Sequence, residues 1–449
     1  MSLLPLAILL FSIVLLLFLA LKLKIHAFLA LLIVSIFLGV AMGMPVMSIL
    51  DSMTAGMSST LGFVATVVGI GAIFGQTLEA SGGAESLARF LVARYGKEKA
   101  PYSLAFAGFM VAIPVFLDVG FIILVPVIYA LAKDTKKSLL YYAIPLLAGL
   151  AVAHAFIPPT PGPVAVAEIM KVDMGWLIFF GFIIGIPVTL LAGPVFGKYI
   201  GNKIHIEAPD FFREPAEKPV GKPPAFGLVT GIIIIPLALI VANTVSDVWA
   251  KSHGMADAQW VKMLTFLGHP FIALLIATLI SIYVLGIRRG FSASSMLDLS
   301  TKALEPAGLI ILVTGAGGVF KQLLVDSGIG VALAESMSGS ALPPIVLAYL
   351  LALIIRVTQG SATVAMITSA GIMSPLLEAY TLSEPHKALL AIAVASGATT
   401  LSHINDSGFW LVGKYLGMNE KQTLRSWTVM ETIISITGFT LALLLSFFF

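Results

Sequence analysis

Four short stretches gather the residues of this chain that are able to do chemistry. Asp118 stands in "IPVFLDVGF" (113–121), and His154 leads into "FIPPTPGP" (156–163). Arg356 precedes "TQGSAT" (358–363), and "SHINDSG" (402–408) holds His403, Asn405, Asp406 and Ser407. Each interrupts long apolar sequence. An ionisable side chain at membrane depth costs at least about 2.5–3.5 kcal/mol on insertion scales, so each marks a candidate functional site. Four prolines between positions 158 and 163 remove backbone donors and clash with preceding carbonyls, so a helix must break there. The half-helix that restarts near Thr160 and Gly162 presents free N–H groups and a positive dipole end, which suit an anion. A proline-kinked helix packed without function is the competing account.

Thr358, Gln359, Gly360, Ser361 and Thr363 offer small hydroxyls and an amide around a glycine. Such a tip lets a ligand approach closely, although Ser361 and Thr363 alone also fit ordinary small-residue helix packing. Arg356 has two readings: a bidentate clamp on a carboxylate, or an ion-pair partner for Asp118 or Asp406. His154 and His403 head the two breaks at equivalent positions, and either histidine or a buried aspartate could carry a proton. Glu79, Glu168 and Lys321 fall nearer span ends and read as structural. Metalloprotease, nucleophile-elbow, Walker and dinucleotide motifs are missing from the sequence, so catalytic grammar does not compete with a binding role.

The elements that hold these residues follow from composition. Of 449 residues, 59% are hydrophobic and 11% charged, and the mean hydropathy is +1.03. A soluble domain has roughly 25% charged residues; this chain cannot cover a soluble surface. Recurrent apolar runs predict an all-α polytopic membrane protein. The first run is followed, not preceded, by its positive charges, which predicts an uncleaved helix. With no cysteine, disulfides and thiolate metal sites are excluded, and a net charge of +3 implies no nucleic-acid partner.

Spans are expected near 3–22, 26–44, 59–79, 104–132, 138–157, 174–199, 226–248, 264–286, 305–325, 343–380, 385–403 and 426–448. "HAFLALLI" (26–33) matches "HPFIALLI" (269–276) at six of eight positions, and "GIGAIFGQTLEASG" (69–82) matches "GAGGVFKQLLVDSG" (315–328). The offsets of 243 and 246 residues predict two homologous halves, 1–199 and 226–449, around a polar, proline-rich linker at 200–225. Transporter repeats are often inverted, with the binding site between them. Reading 104–132 and 343–380 as re-entrant hairpins leaves five crossings per half and makes the repeats inverted. That topology puts twenty Lys and Arg on the inner side against four on the outer, as the positive-inside rule requires. Both termini then face outward and the linker faces the cytoplasm.

The stretches "IPVFLDVGFIILVPVIYALAK", "HAFIPPTPGPVAVAE", "TQGSATVAMITSAGI" and "SHINDSGFWLVGKYLG" resemble the gluconate permease family of bacterial proton symporters, over essentially the whole chain. The resemblance implies a homodimeric, elevator-type transporter of the inner membrane, with a scaffold part and a mobile part carrying two re-entrant hairpins. Its implied cargo is gluconate, a related sugar acid, D-serine or another small hydroxy acid. The implied site comprises Asp118, the Thr160 and Gly162 region, Thr358, Gln359, Gly360, Ser361, Thr363, His403, Asn405, Asp406 and Ser407. Sodium-coupled relatives carry Ser-Asn-Thr tips; "LDVG" and "QGSAT" depart from these and favour a proton, with no cofactor. Uptake of a small hydroxylated carboxylate with a proton is the leading expectation. A facilitator or channel, and more remotely an intramembrane enzyme using His403 and Asp406, are the alternatives.

Overall fold

The computed structural model describes residues 4–207, 223–255, 257–329, 343–379, 382–404 and 406–449. Most of the expected linker and Asn405 lie outside the described residues. Among the described residues the chain is helical throughout, with no β-strand. In hydrocarbon each backbone N–H and C=O must be satisfied within its own segment, and a helix does this locally.

The chain opens with α1 (Leu4–Leu21), α2 (Ala27–Ala41), α3 (Val46–Ala80) and α4 (Gly83–Tyr95). At 35 residues α3 is roughly 50 Å long, well beyond the ~30 Å of a hydrocarbon core. It begins thirteen residues before the expected span at 59, because "VMSILDSMTAGMS" is too polar to register as membrane sequence. The expected hairpin at 104–132 is two helices, α5 (Ala100–Ala112) and α6 (Leu117–Thr135), broken over 113–116. Lys97 forms an ion pair with Asp134, so the two ends of this segment meet. The expected span at 138–157 continues past its prolines as α7 (Leu140–Phe156) and α8 (Pro161–Met170), separated by 157–160. The half then closes with α9 (Met174–Leu190), a π-helical turn, and α10 (Phe196–Lys203).

The remainder of the described chain is again helical. It comprises α11 (Phe226–Ser252), α12 (Gln259–Leu267), α13 (Pro270–Ser281), α14 (Ala293–Asp326), α15 (Pro344–Gln359) and α16 (Ala362–Ala379). After these come α17 (Glu384–Ala398), α18 (Ser407–Tyr415), α19 (Glu420–Thr423) and α20 (Val429–Leu445). The 343–380 segment breaks at Gly360, whose φ of +79° is the left-handed conformation a glycine adopts without Cβ strain. The next break runs from Thr399 to Asp406.

Elements at the expected repeat offset share local detail. His26 and His269 cap α2 and α13 alike, each ring Nδ1 accepting from the backbone N–H two residues on, at Phe28 and Phe271. A Cβ at Gly149 of α7 would run into the Ala105 carbonyl oxygen and the Phe109 nitrogen of α5. One at Gly397 of α17 would meet the Tyr349 carbonyl oxygen and the Leu353 nitrogen of α15. Each glycine thus lets two backbones touch across the same four-residue frame.

Among the described residues, seven helical stretches are long and apolar enough to cross a membrane: Val46–Ala80, Leu140–Met170, Met174–Lys203, Phe226–Ser252, Pro270–Arg289, Ala293–Asp326 and Glu420–Leu445. Shorter apolar helices lie at Ala7–Leu19, Ala27–Ala41, Pro344–Gln359 and Ala362–Pro375. The stretch containing α7 and α8 has 89% of its apolar window buried, against 33–56% for the other six. It is surrounded by protein, and that is where the first polar break sits.

Candidate functional site

The break in the second half is a connected polar assembly. Arg356, in the last turn of α15, is 3% exposed and its Nη2 lies 2.5 Å from Asp406 Oδ2. Of the two aspartates open to it from sequence, Asp406 is the partner. Arg356 Nη1 donates to the carbonyl of Gly360, and the Gly360 N–H returns to the Arg356 carbonyl at 2.8 Å, so the tip is latched to its own helix. Asp406 is the N-cap of α18 and accepts from Gly408 N at 3.0 Å. The Ser402 hydroxyl donates to the same carboxylate. Ser402 in turn accepts from Trp427 Nε1 at 2.6 Å. His403 donates from Nε2 to the Val357 carbonyl at 3.0 Å, which ties the broken segment to the tip.

The remaining tip residues divide by what their polar atoms do. The Thr358 hydroxyl bonds back to Ile354 O and Ile355 O within α15. Ser361 caps α16 by accepting from Val364 N at 3.3 Å, and Thr363 is half-buried in the following turn. Gln359 Nε2 is buried without a hydrogen-bond partner. Ser407 is exposed at the first residue of α18.

The break in the first half is sparser. Asp118 is exposed in the first turn of α6 and interacts electrostatically with Glu79 of α3 and His154 of α7. His154 Nδ1 is buried without a partner, and the Phe116 ring meets the imidazole edge-on at 6.3 Å. The Thr160 hydroxyl turns back to the Ile157 carbonyl at 2.6 Å. Pro161 and Pro163 have no N–H, so Gly162 is the only donor among the first three residues of α8. A Cβ at Gly162 would sit 2.7 Å from Met366 Sδ, so the start of α8 packs directly against α16 just beyond the second tip.

That packing sets the first break beside the second tip. The crevice between α3, the 113–116 break and the 157–160 break has a volume of about 10 Å³, room for about one water. A larger cavity of about 410 Å³ lies at the far end of α8, lined by Glu168, Lys171, Asp173, Asn243, His269 and Glu384. Glu168 and Lys171 form an ion pair at its edge, and Asp173 caps α9 through Trp176 N, so these groups hold the loop between α8 and α9.

Sequence reasoning missed Glu431. It is 4% exposed in the first turn of α20, its Oε1 lacks a hydrogen-bond partner, and it interacts electrostatically with Arg356 and Asp406. The available signal was its isolation: Glu431 is the only ionisable residue between positions 426 and 448.

Broken apolar helices with an ion pair buried at the break define a multi-pass membrane transporter for a small molecule. The chain belongs to the GntP permease family, whose pattern matches residues 4–448, and it is accordingly a permease and not an enzyme. It is 41% identical over 427 residues to the low-affinity gluconate transporter of Escherichia coli K12, covering 95% of each chain. It is 35% identical over 435 residues to the Gnt-II system L-idonate transporter of the same organism, covering 97% of each. Among solved structures it is similar to the YdaH transporter of Alcanivorax borkumensis, with a TM-score of 0.62 over 88% of this chain and 86% of that one. At 14% identity that likeness concerns the fold alone.

Proposed function

We propose that this permease takes up gluconate or a closely related sugar acid together with a proton across the bacterial inner membrane. The relatives named for gluconate and L-idonate support the substrate class, a carboxylate carrying several hydroxyls. The observation that carries the reading is Arg356: a buried guanidinium at a helix break, with Nε left without a partner. Arg356 and the starts of α8 and α16 receive the carboxylate, competing with Asp406 for the guanidinium. Gln359, Asn405 and the hydroxyls of Thr160, Thr358, Ser361, Thr363 and Ser407 bind the substrate hydroxyls, with Asp118 on the facing side. Gly162 and Gly360 allow the backbone to approach. Asp118, Asp406, His154 and His403 are the titratable groups that the sequence offers for the proton.

The architecture that serves this is two inverted repeats, 1–199 and 226–449, joined by a cytoplasmic linker at 200–225, with both termini periplasmic. Its support is the matched His caps, the matched glycine contacts, the hairpin closed by Lys97 and Asp134, and the inner excess of Lys and Arg. Two such protomers form a homodimer in which the part bearing both breaks moves as an elevator.

Uptake into proteoliposomes tests the reading. An imposed inward proton gradient should drive labelled gluconate above its external concentration, and a protonophore should abolish that accumulation. Accumulation that survives the protonophore overturns proton coupling, and equilibration without accumulation identifies a facilitator. Competition by L-idonate, gluconate and D-serine then ranks the cargo.

A further inference from the structure

Glu431 is buried at the level of the second break, on a helix given no role above. Its Oε1 and Arg356 Nε are both buried and both lack hydrogen-bond partners, an acceptor and a donor left unmatched in one neighbourhood. Buried polar atoms without partners are few in folded proteins, and each calls for an explanation such as a role in function. The groups that face Glu431 electrostatically are Arg356 of α15 and Asp406 at the head of α18. Other charged and titratable groups on the elements packed against α20 lie elsewhere. Glu384, His386 and Lys387 begin α17 at its far end, Arg425 is exposed, His403 is engaged with Val357, and His154 faces Asp118. One turn beyond Glu431, the buried Ser435 hydroxyl meets Tyr349 Oη at 3.1 Å and the Thr400 hydroxyl, continuing a polar line along α20.

We propose that Glu431 is the group that takes up and releases the transported proton, coupled to the substrate through Arg356. The inference rests on the proton-coupled reading above and assigns its carrier. The Arg356 guanidinium pairs with Asp406 and interacts electrostatically with Glu431. A substrate carboxylate that engages it adds one negative charge to a buried cluster. A proton from the outer solution, bound to the Glu431 carboxylate, cancels that charge, so loaded and empty sites carry the same net charge across the membrane. On the inner side the carboxyl returns the proton to water as the substrate leaves. By linkage, a proton that strengthens substrate binding is itself bound more tightly when substrate is present.

The test uses full-length protein in liposomes with an internal pH dye, comparing the native chain with Glu431→Gln and Glu431→Asp. The native chain should move protons with gluconate; if it does not, the proton-coupled reading fails and the assignment falls with it. If it does, Glu431→Gln should lower the proton-to-gluconate ratio at least tenfold and flatten the pH profile of gluconate exchange, whatever its rate. Glu431→Asp should restore coupling with a displaced pH profile. A native ratio and pH profile in Glu431→Gln overturns the assignment. Should that variant fail to fold, dicyclohexylcarbodiimide labelling of the native protein decides. Modification at Glu431 that varies with pH and is blocked by gluconate supports the proposal, and an unmodified Glu431 overturns it.

Discussion

Arg356 shows how a buried charge differs from a stabilising one. Removing a guanidinium and a carboxylate from water costs several kcal/mol per ion, and their attraction repays this only with good geometry and further hydrogen bonds. Here the extra bonds are present: Gly360 O on one side, Ser402 and the Gly408 N–H on the other. Deleting one partner leaves the other charge uncompensated. Asp406→Ala should therefore lower stability by about 3–5 kcal/mol, read as a fall in the unfolding temperature of the purified permease. Arg356→Lys keeps the charge but loses the planar fork that reaches Gly360 and Asp406 together. Gluconate binding by calorimetry should weaken at least tenfold, about 1.4 kcal/mol, while much of the fold's stability is kept. The sequence pointed to Arg356 and to two candidate aspartates; only the fold of the 399–406 break selects Asp406. Glu431 was hidden for a related reason. One glutamate in "VMETIIS" carries no local pattern, and its importance comes from side chains some 25 and 75 residues away in sequence.

At the scale of elements, the breaks were legible because their causes are local. Prolines 158, 159, 161 and 163 end α7 by chemistry alone, and Gly360 between polar residues marks a reversal. The starts of α3 and α14 were not legible, since each begins in polar sequence that hydropathy does not count. Ser52 of α3 donates to Asp326 of α14 at 2.6 Å, so part of that polarity is satisfied between the two helices. Close backbone contact of α5 with α7 and of α15 with α17 is likewise a property of pairs, resting on Gly149 and Gly397. Neither glycine has space for a methyl group, and the atoms in the way, backbone and at Gly397 also the Ala352 Cβ, cannot rotate aside. Gly149→Ala and Gly397→Ala should each cost about 1–3 kcal/mol, the usual range for overpacking. Gly231→Ala on α11, where a Cβ meets nothing within 4 Å, serves as the control and should hold or slightly raise stability. Thermal unfolding of the three variants in one detergent checks the contrast.

For the whole molecule, everything turns on whether 104–132 crosses the membrane or returns to the side it entered. If it crosses, every later loop changes side, the inner excess of basic residues is lost and the two halves become parallel. The ion pair between Lys97 and Asp134 favours return, because it joins residues on either side of the segment. Five crossings per half would then place 1–199 and 226–449 in opposite orientations, with the start of α8 packed beside Met366 of α16. The absence of native cysteine makes this directly measurable with single introduced thiols. Lys97→Cys and Lys136→Cys bracket the first hairpin and should both be shielded from a membrane-impermeant maleimide in intact cells, then react after permeabilisation. Lys171→Cys and Lys387→Cys should react in intact cells, the latter because 343–380 also returns to its own side. Opposite behaviour of the Lys97 and Lys136 positions would make the first hairpin a crossing and remove the inversion. A shielded Lys387 position, with Lys302→Cys also shielded, would do the same for the second. Only if both segments return do the Arg356 tip and the proline break of α7 and α8 belong to one site reached alternately from either side.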